Sequence, residues 1–164
     1  GSKDELIDEL KEAFFGRILE SVNLIADRAE PFPARARRCV STYVRKALEK
    51  PHHYVAAFSG VAPPAPTVPE GCEFSDSNRA QAFAILTEMV GEGLENGCFR
   101  PELVRDTAAK SIWASMHGLA MMIAHFNDFP SMATMPSELS QDEFIDFHAD
   151  LIIRSLESGP TKRD

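Results

Sequence analysis

The sequence predicts an all-α domain, a helical bundle of about six helices, and three observations carry that prediction. Apolar side chains recur every three to four residues through most of the chain, the period of one helix face. Prolines fall between those runs rather than inside them, where they end helices without interrupting their hydrogen-bond ladders. No stretch alternates apolar and polar residues as a strand does, and no internal repeat is present. With 164 residues, 44% of them hydrophobic, the chain is long enough for one sizeable core and short for two. Residues 1–158 are therefore expected as one domain and 159–164 as a polar tail.

The first helix is expected over residues 3–29, with Leu6, Leu10, Phe14, Ile18, Val22 and Ile25 on one face and Asp8, Lys11, Glu12 and Glu20 elsewhere. Ser2, with Glu5 three residues on, reads as a capping box; Gly1 and Ser2 read equally well as a protease-site remnant. Pro31 and Pro33 break this helix, and a second runs from Ala34 to Glu49 with Val40, Tyr43, Val44 and Ala47 inward. Its basic residues Arg35, Arg37 and Arg38, with Arg45 and Lys46 further on, read as a solvated face. Pro51 marks the end of this helix or the start of a short one through His52–Phe58.

Between Gly60 and Gly71, Pro63, Pro64, Pro66 and Pro69 predict an extended loop. Ser75 or Ser77 caps the next helix, which carries Ala82, Phe83, Leu86, Met89, Val90 and Leu94 and stops at Asn96-Gly97. Pro101 is expected in the first turn of a helix from Glu102 to about Phe126. Its apolar face, with Ile112, Trp113, Met116, Leu119, Ala120 and Ile123, is wide enough to need burial on more than one side. Phe144, Phe147, His148, Leu151, Ile152 and Ser155 define the closing helix, and Asp142, Glu143 and Asp146 suit the positive end of its dipole.

Composition narrows the function classes. A net charge of -8, from 25 acidic and 17 basic side chains, repels a phosphate backbone, so this segment alone is not expected to grip nucleic acid. Cys39, Cys72 and Cys98 form no CxxC pair, which argues against a disulfide framework or a zinc site and fits a reducing, cytoplasmic setting. The longest apolar run, Leu119 to Ala124, is too short to cross a bilayer, and nothing reads as a secretory signal. No serine or cysteine sits in the strand-to-helix context that nucleophilic chemistry uses, so no catalytic residue, enzyme activity or cofactor is expected. His52, His53, His117, His125 and His148 make no HxxxH or HExxH pair, so no metal site is expected either.

Two groups of residues are candidates for binding. Tyr43, Tyr54, Phe58, Phe83, Leu86, Trp113, Met116 and His117 are apolar or amphipathic, the mixture that lines a small-molecule pocket. Large side chains fill a core equally well, and His117 in particular reads as either a core histidine or a ligand contact. The stretch WASMHGLAMM, residues 113–122, offers Ala114, Ser115 and Gly118 for close approach of another helix. Gly118 costs roughly 1 kcal/mol of helix stability relative to alanine, which packing of a symmetry-related helix, or of one in the same subunit, would offset. With Met122, and with Phe144, His148, Leu151 and Ser155 on the last helix, these residues are expected at a homodimer interface.

Trp113-x-x-x-His117-Gly118-Leu119 resembles the Trp-His-Gly signature of a subgroup of tetracycline-repressor-like (TetR-like) transcriptional regulators, in their C-terminal ligand-binding and dimerisation domain. Ser2-Lys3-Asp4-Glu5-Leu6 is similar to the Ser-Lys-x-x-Leu string through which that family enters the long helix after its helix-turn-helix. The resemblance implies a homodimer whose last two long helices form a four-helix bundle, with a pocket enclosed by the earlier helices. It also implies a small-molecule effector, no membrane association, and operator DNA bound only through an N-terminal domain absent from this chain. The function implied is that of a repressor released from DNA by a small apolar or aromatic ligand. A helical protein-protein interaction module without a ligand, and a helical metalloprotein or oxidase using His and Glu from facing helices, are the competing readings.

Overall fold

The computed structural model describes residues 2–25, 29–60 and 73–159. The proline-rich loop expected before Gly71, Cys72, residues 26–28 of the expected first helix and nearly all of the polar tail lie outside the described residues. The described residues form six α-helices and no strand: α1 Lys3–Ile25, α2 Phe32–Leu48, α3 Pro51–Phe58, α4 Asn78–Glu95, α5 Arg105–His125 and α6 Gln141–Leu156.

The helix ends follow from local chemistry. At α1, the Ser2 amide donates to Glu5 Oε2 at 2.6 Å and the Glu5 amide to Ser2 Oγ at 3.2 Å, the reciprocal capping expected of that pair. Pro33 does not break a helix, as expected, but sits in the first turn of α2, which begins at Phe32; a first-turn residue needs no amide donor. Ser77 caps α4 by accepting from the Ala80 amide at 3.2 Å, after a 3-10 turn at Phe74–Asp76 that the periodicity does not signal. Gly97, with φ +74°, ends it. α5 starts at Arg105, three residues later than expected, and Pro101 lies in the turn ahead of it. Ser140 and Glu143 form a second capping box at α6.

α2 is the axle of the bundle. Its Ala36, Val40, Val44 and Ala47 are wholly buried, and it packs against α1, α5 and α6. Small side chains on the facing helices, Ala109 and Ala120 of α5 and Ala149 of α6, are also buried and allow the axes to approach. α4 packs on α1 and α5 to form the other side. An aromatic cluster joins α1, α2 and α3: Phe14 meets Tyr43 edge-on at 5.3 Å and Tyr54 at 5.0 Å between ring centroids, geometry that adds about 0.5 to 1.5 kcal/mol per pair beyond area burial.

Two polar features correct the sequence reading. The basic residues of α2 are not a merely solvated face: Arg37 reaches Asp150 and Glu157, each at 2.7 Å, and Arg45 reaches Asp142 at 2.8 Å and Asp146 at 3.0 Å, fastening α6. Arg35 pairs with Glu92 of α4 at 2.5 Å. On α1, Asp8 is buried rather than on an outer face, and with Glu12 it holds Arg79 of α4 at 3.3 and 2.8 Å. Periodicity sorts side chains by polarity, so it misses charges buried because a partner faces them.

Candidate ligand-binding site

Helices α1, α2, α4 and α5, with the end of α3, leave a cleft of about 1130 Å³ between them. α1 contributes Lys11, Phe15, Ile18 and Val22, spaced along one stripe; α2 contributes Cys39, Thr42 and Tyr43; Phe58 and Gly60 close the α3 end. The α4 wall runs from Arg79 to Glu88, and α5 adds Lys110, Trp113, Ala114 and Met116. The space has a sequence origin, because α4 presents Ala80, Ala82 and Ala84 around Phe83, and alanine leaves room that a larger side chain would fill. Sites for drug-sized ligands are typically about 300 to 1,000 Å³, largely apolar with a few polar groups; this cleft is slightly larger than that range and matches it in character.

Six of the eight expected pocket residues line the cleft: Tyr43, Phe58, Phe83, Leu86, Trp113 and Met116. Tyr54 and His117 stand behind the wall and are tied to it by hydrogen bonds. Trp113 Nε1 donates to the Tyr43 hydroxyl at 3.2 Å, the Tyr43 and Tyr54 hydroxyls lie 2.9 Å apart, and the Tyr54 hydroxyl lies 2.6 Å from His117 Nδ1. Burial pushes the Tyr43 phenol up to about 12, against the smaller opposing effect of its bonds to Tyr54 and Trp113. Burial also raises Tyr54, reinforced by Tyr43, and lowers His117, so the whole set is uncharged at neutral pH. His117 is thus neither plain core nor a wall residue. It is half-buried, and its ring packs on Phe58 at 5.0 Å and Trp113 at 5.8 Å.

The α1 wall was not among the expected residues. Ile18 and Val22 belong to the expected apolar stripe but were not expected at a pocket, while Lys11 and Phe15 lie beside that stripe, and the four-residue and three-residue steps joining the four are their sequence signal. Cys39 also lines the cleft, and burial lifts its thiol to about 11, which keeps it protonated at neutral pH. Charge at the lip is of both signs: Lys11 and Lys110 with Glu88, while Arg79 is held by Asp8 and Glu12.

The residues expected at a dimer interface are distributed over the outer sides of α5 and α6. Ala114, Gly118 and Met122, one turn apart on α5, are exposed, and Ala114 also borders the cleft. A Cβ added at Gly118 would meet nothing within 4 Å, so close packing within this subunit does not account for that glycine. On α6, Leu151 is 54% exposed and Ser155 is exposed, while Phe144 is half-buried against Phe129. Ser115 Oγ and His148 Nε2 meet at 3.3 Å and connect the two helices. Phe147, 51% exposed on α6, and Phe126, 46% exposed just after α5, are further exposed apolar residues that were not among those expected at the interface. Among the described residues no group of three His, Cys, Asp or Glu is placed to hold a metal ion, and no described helix is long and apolar enough to cross a membrane.

An all-α bundle with a large apolar cleft between its helices and apolar residues left exposed on its last two is a helical binding domain. The chain belongs to the tetracyclin repressor-like C-terminal domain family, whose model matches residues 36–147, and domains of this family are the ligand-binding and dimerisation parts of transcriptional regulators. A solved protein of unknown function from Rhodococcus sp. RHA1 is similar, with a TM-score of 0.69 and 21% identity over 93% of this chain and 72% of that one. At that identity the likeness shows the fold alone. No curated protein matches the chain.

Proposed function

We propose that this domain senses a small apolar or aromatic effector in the cleft and joins two copies through α5 and α6. In the whole regulator, a helix-turn-helix domain joined to α1 would hold operator DNA and release it when the effector enters, so the protein acts as a cytoplasmic repressor. Within its family we place it in the Trp-His-Gly subgroup, on Trp113, His117 and Gly118.

The observation that carries the reading is the cleft itself, because α1 is one of its walls. An occupant that presses on Phe15, Ile18 and Val22 acts on the helix that leads to the DNA-binding domain. Only an effector that binds the DNA-incompetent arrangement more tightly can shift the balance, and the coupling is then reciprocal. The charge of -8 fits a domain that leaves DNA contact to another part of the regulator.

The test is a screen of apolar and aromatic compounds by thermal shift and by emission from Trp113, the sole tryptophan, repeated on an Ala82→Phe variant that fills part of the cleft. Hits whose stabilisation disappears in that variant support the reading. A screen that finds none in the wild type, with the chain sedimenting as a monomer, would leave an interaction module without a ligand as the better account.

A further inference from the structure

The hydrogen-bonded set behind the cleft wall has two ways of placing its protons, and they differ in what the cleft is offered. The indole of Trp113 can only donate, each phenol donates once, and a neutral imidazole donates from one nitrogen and accepts at the other. In the first arrangement Trp113 donates to Tyr43, Tyr43 to Tyr54, and Tyr54 to His117 Nδ1, with the imidazole proton on Nε2. Every proton of the chain then has an acceptor within it except that on Nε2 of the half-buried His117, which is left to solvent. In the second, His117 carries its proton on Nδ1 and donates to Tyr54, which donates to Tyr43. The Tyr43 oxygen now accepts twice, from Trp113 and Tyr54, and its own proton has no acceptor in the protein.

Tyr43 is the phenol of the chain that lines the cleft; Tyr54 and His117 do not line it. The spare proton of the second arrangement is therefore offered to whatever occupies the cleft. The two arrangements contain the same protons: the imidazole gives its Nε2 proton to solvent, Tyr54 passes its proton to Nδ1, Tyr43 passes its own to Tyr54, and Tyr43 takes one back from water in the cleft. Burial disfavours the charged forms of all three titratable members, so the wall changes its polarity by relaying protons rather than by staying ionised. Of the charged groups lining the cleft, Lys11, Arg79 and Lys110 are cationic and Glu88 is anionic; with Asp8 and Glu12, which hold Arg79 from behind, the group is balanced in charge.

Resting on the effector-sensing reading, we propose that the effector is a neutral, largely apolar molecule carrying a carbonyl acceptor, which docks on the Tyr43 hydroxyl and, by reversing the chain, moves the His117 proton from Nε2 to Nδ1. An apolar occupant without an acceptor would leave the first arrangement in place. A hydrogen-bond donor would meet an oxygen already accepting from Trp113, and would move no proton.

Two matched pairs of probes test this: 2-acetylnaphthalene with 2-ethylnaphthalene, and 2-octanone with octane. Each is titrated by calorimetry into the wild type, Tyr43→Phe and Tyr54→Phe, with the imidazole ¹⁵N signals of His117 followed in parallel and assigned by their loss in His117→Gln. The ketone of at least one pair is expected to bind the wild type about fivefold or more tightly than its hydrocarbon, the worth of one net neutral hydrogen bond. Tyr43→Phe should abolish that preference. Tyr54→Phe should keep it while abolishing the His117 response, which separates the chain from a general loss of packing that would weaken both probes in both variants. The ¹⁵N pattern of His117 should change tautomer with the ketone and not with the hydrocarbon. Binding of both members without preference, a preference that survives Tyr43→Phe, or a His117 signal that ignores the ketone overturns the inference and leaves the cleft as a sensor. Failure of all four probes to bind overturns the cleft reading as well.

Discussion

The ring of Phe99 lies so close to Gly93 that a Cβ built on that glycine would stand 2.3 Å from a ring carbon. Phe99 is 1% exposed and stacks edge-on against Phe32 at 5.2 Å, while its amide donates to the Gly93 carbonyl at 2.8 Å. The ring has nowhere to move, so Gly93→Ala is expected to destabilise the domain by about 1 to 3 kcal/mol, the usual cost of overpacking a core. Urea unfolding at pH 7 measures it, and an unchanged midpoint would show that the ring repacks freely.

Gly118 gives the opposite expectation for the fold. Its added Cβ meets nothing, so Gly118→Ala should raise the stability of α5 by up to about 1 kcal/mol. Gly118→Leu should instead weaken self-association if two copies meet on α5, and sedimentation across a concentration series reads that. An association constant indifferent to leucine at this position would remove Gly118 from the interface.

Arg37 ties α2 to α6 through Asp150 and Glu157, with all three side chains partly exposed. Solvent discounts each pair, so Arg37→Ala is expected to cost about 1 kcal/mol. The bonds from Arg154 first and Arg37 second hold the Asp150 carboxyl below its ordinary value of 3.8. Its folded value is depressed, so its contribution is present above the ordinary value and lost as pH falls through the folded one. Denaturation midpoints at pH 7 and pH 3 should therefore converge between wild type and Arg37→Ala.

His117 and His148 respond in a different window. Burial lowers both below their ordinary 6.5, and at His148 the contact with Ser115 only partly opposes it. The unfolded chain then takes up protons at a pH where the folded chain does not. Stability is full above about 6.5 and falls as pH drops below it, and a double His117→Gln, His148→Gln variant should flatten the profile between pH 7 and 5. A wild-type profile that is level over that range would contradict the burial of these rings.

Trp113 is 36% exposed at the cleft, so Trp113→Ala should cost less than the roughly 3 to 5 kcal/mol of removing a fully buried aromatic. Trp113→Phe, which keeps the ring and loses the bond to Tyr43, should cost about 1 kcal/mol. Thermal unfolding of the two variants side by side decides whether this residue acts as wall or as core.

Much of the fold is legible in the sequence because helix ends are local. Ser2 with Glu5, Ser77 and Gly97 mark their helices by chemistry within a few residues. The site is legible only where a residue type is telling, as with Tyr43, Phe83 and Trp113. Phe15 and Val22 look like any apolar pair on a helix, and their position in the cleft depends on how α1 crosses α4, which no local pattern encodes. Asp8 and Arg79 are hidden for the same reason: 71 positions separate them, and only the packed bundle makes a buried carboxylate affordable there.

α2 carries Cys39, Thr42 and Tyr43 toward the cleft and Arg37 and Arg45 toward α6. An α-helix is stiff over so few turns, so these two sets of side chains are opposite sides of one rod. A guest that pushed the rod aside would drag Asp142, Asp146, Asp150 and Glu157 with it, because four carboxylates grip the far side. The anchoring of α6 would then serve also as a transmission shaft, beside the direct packing of α2 on α6. Cutting the two arginines would leave a cleft that still fills but pass less of the push to Phe147 and Leu151.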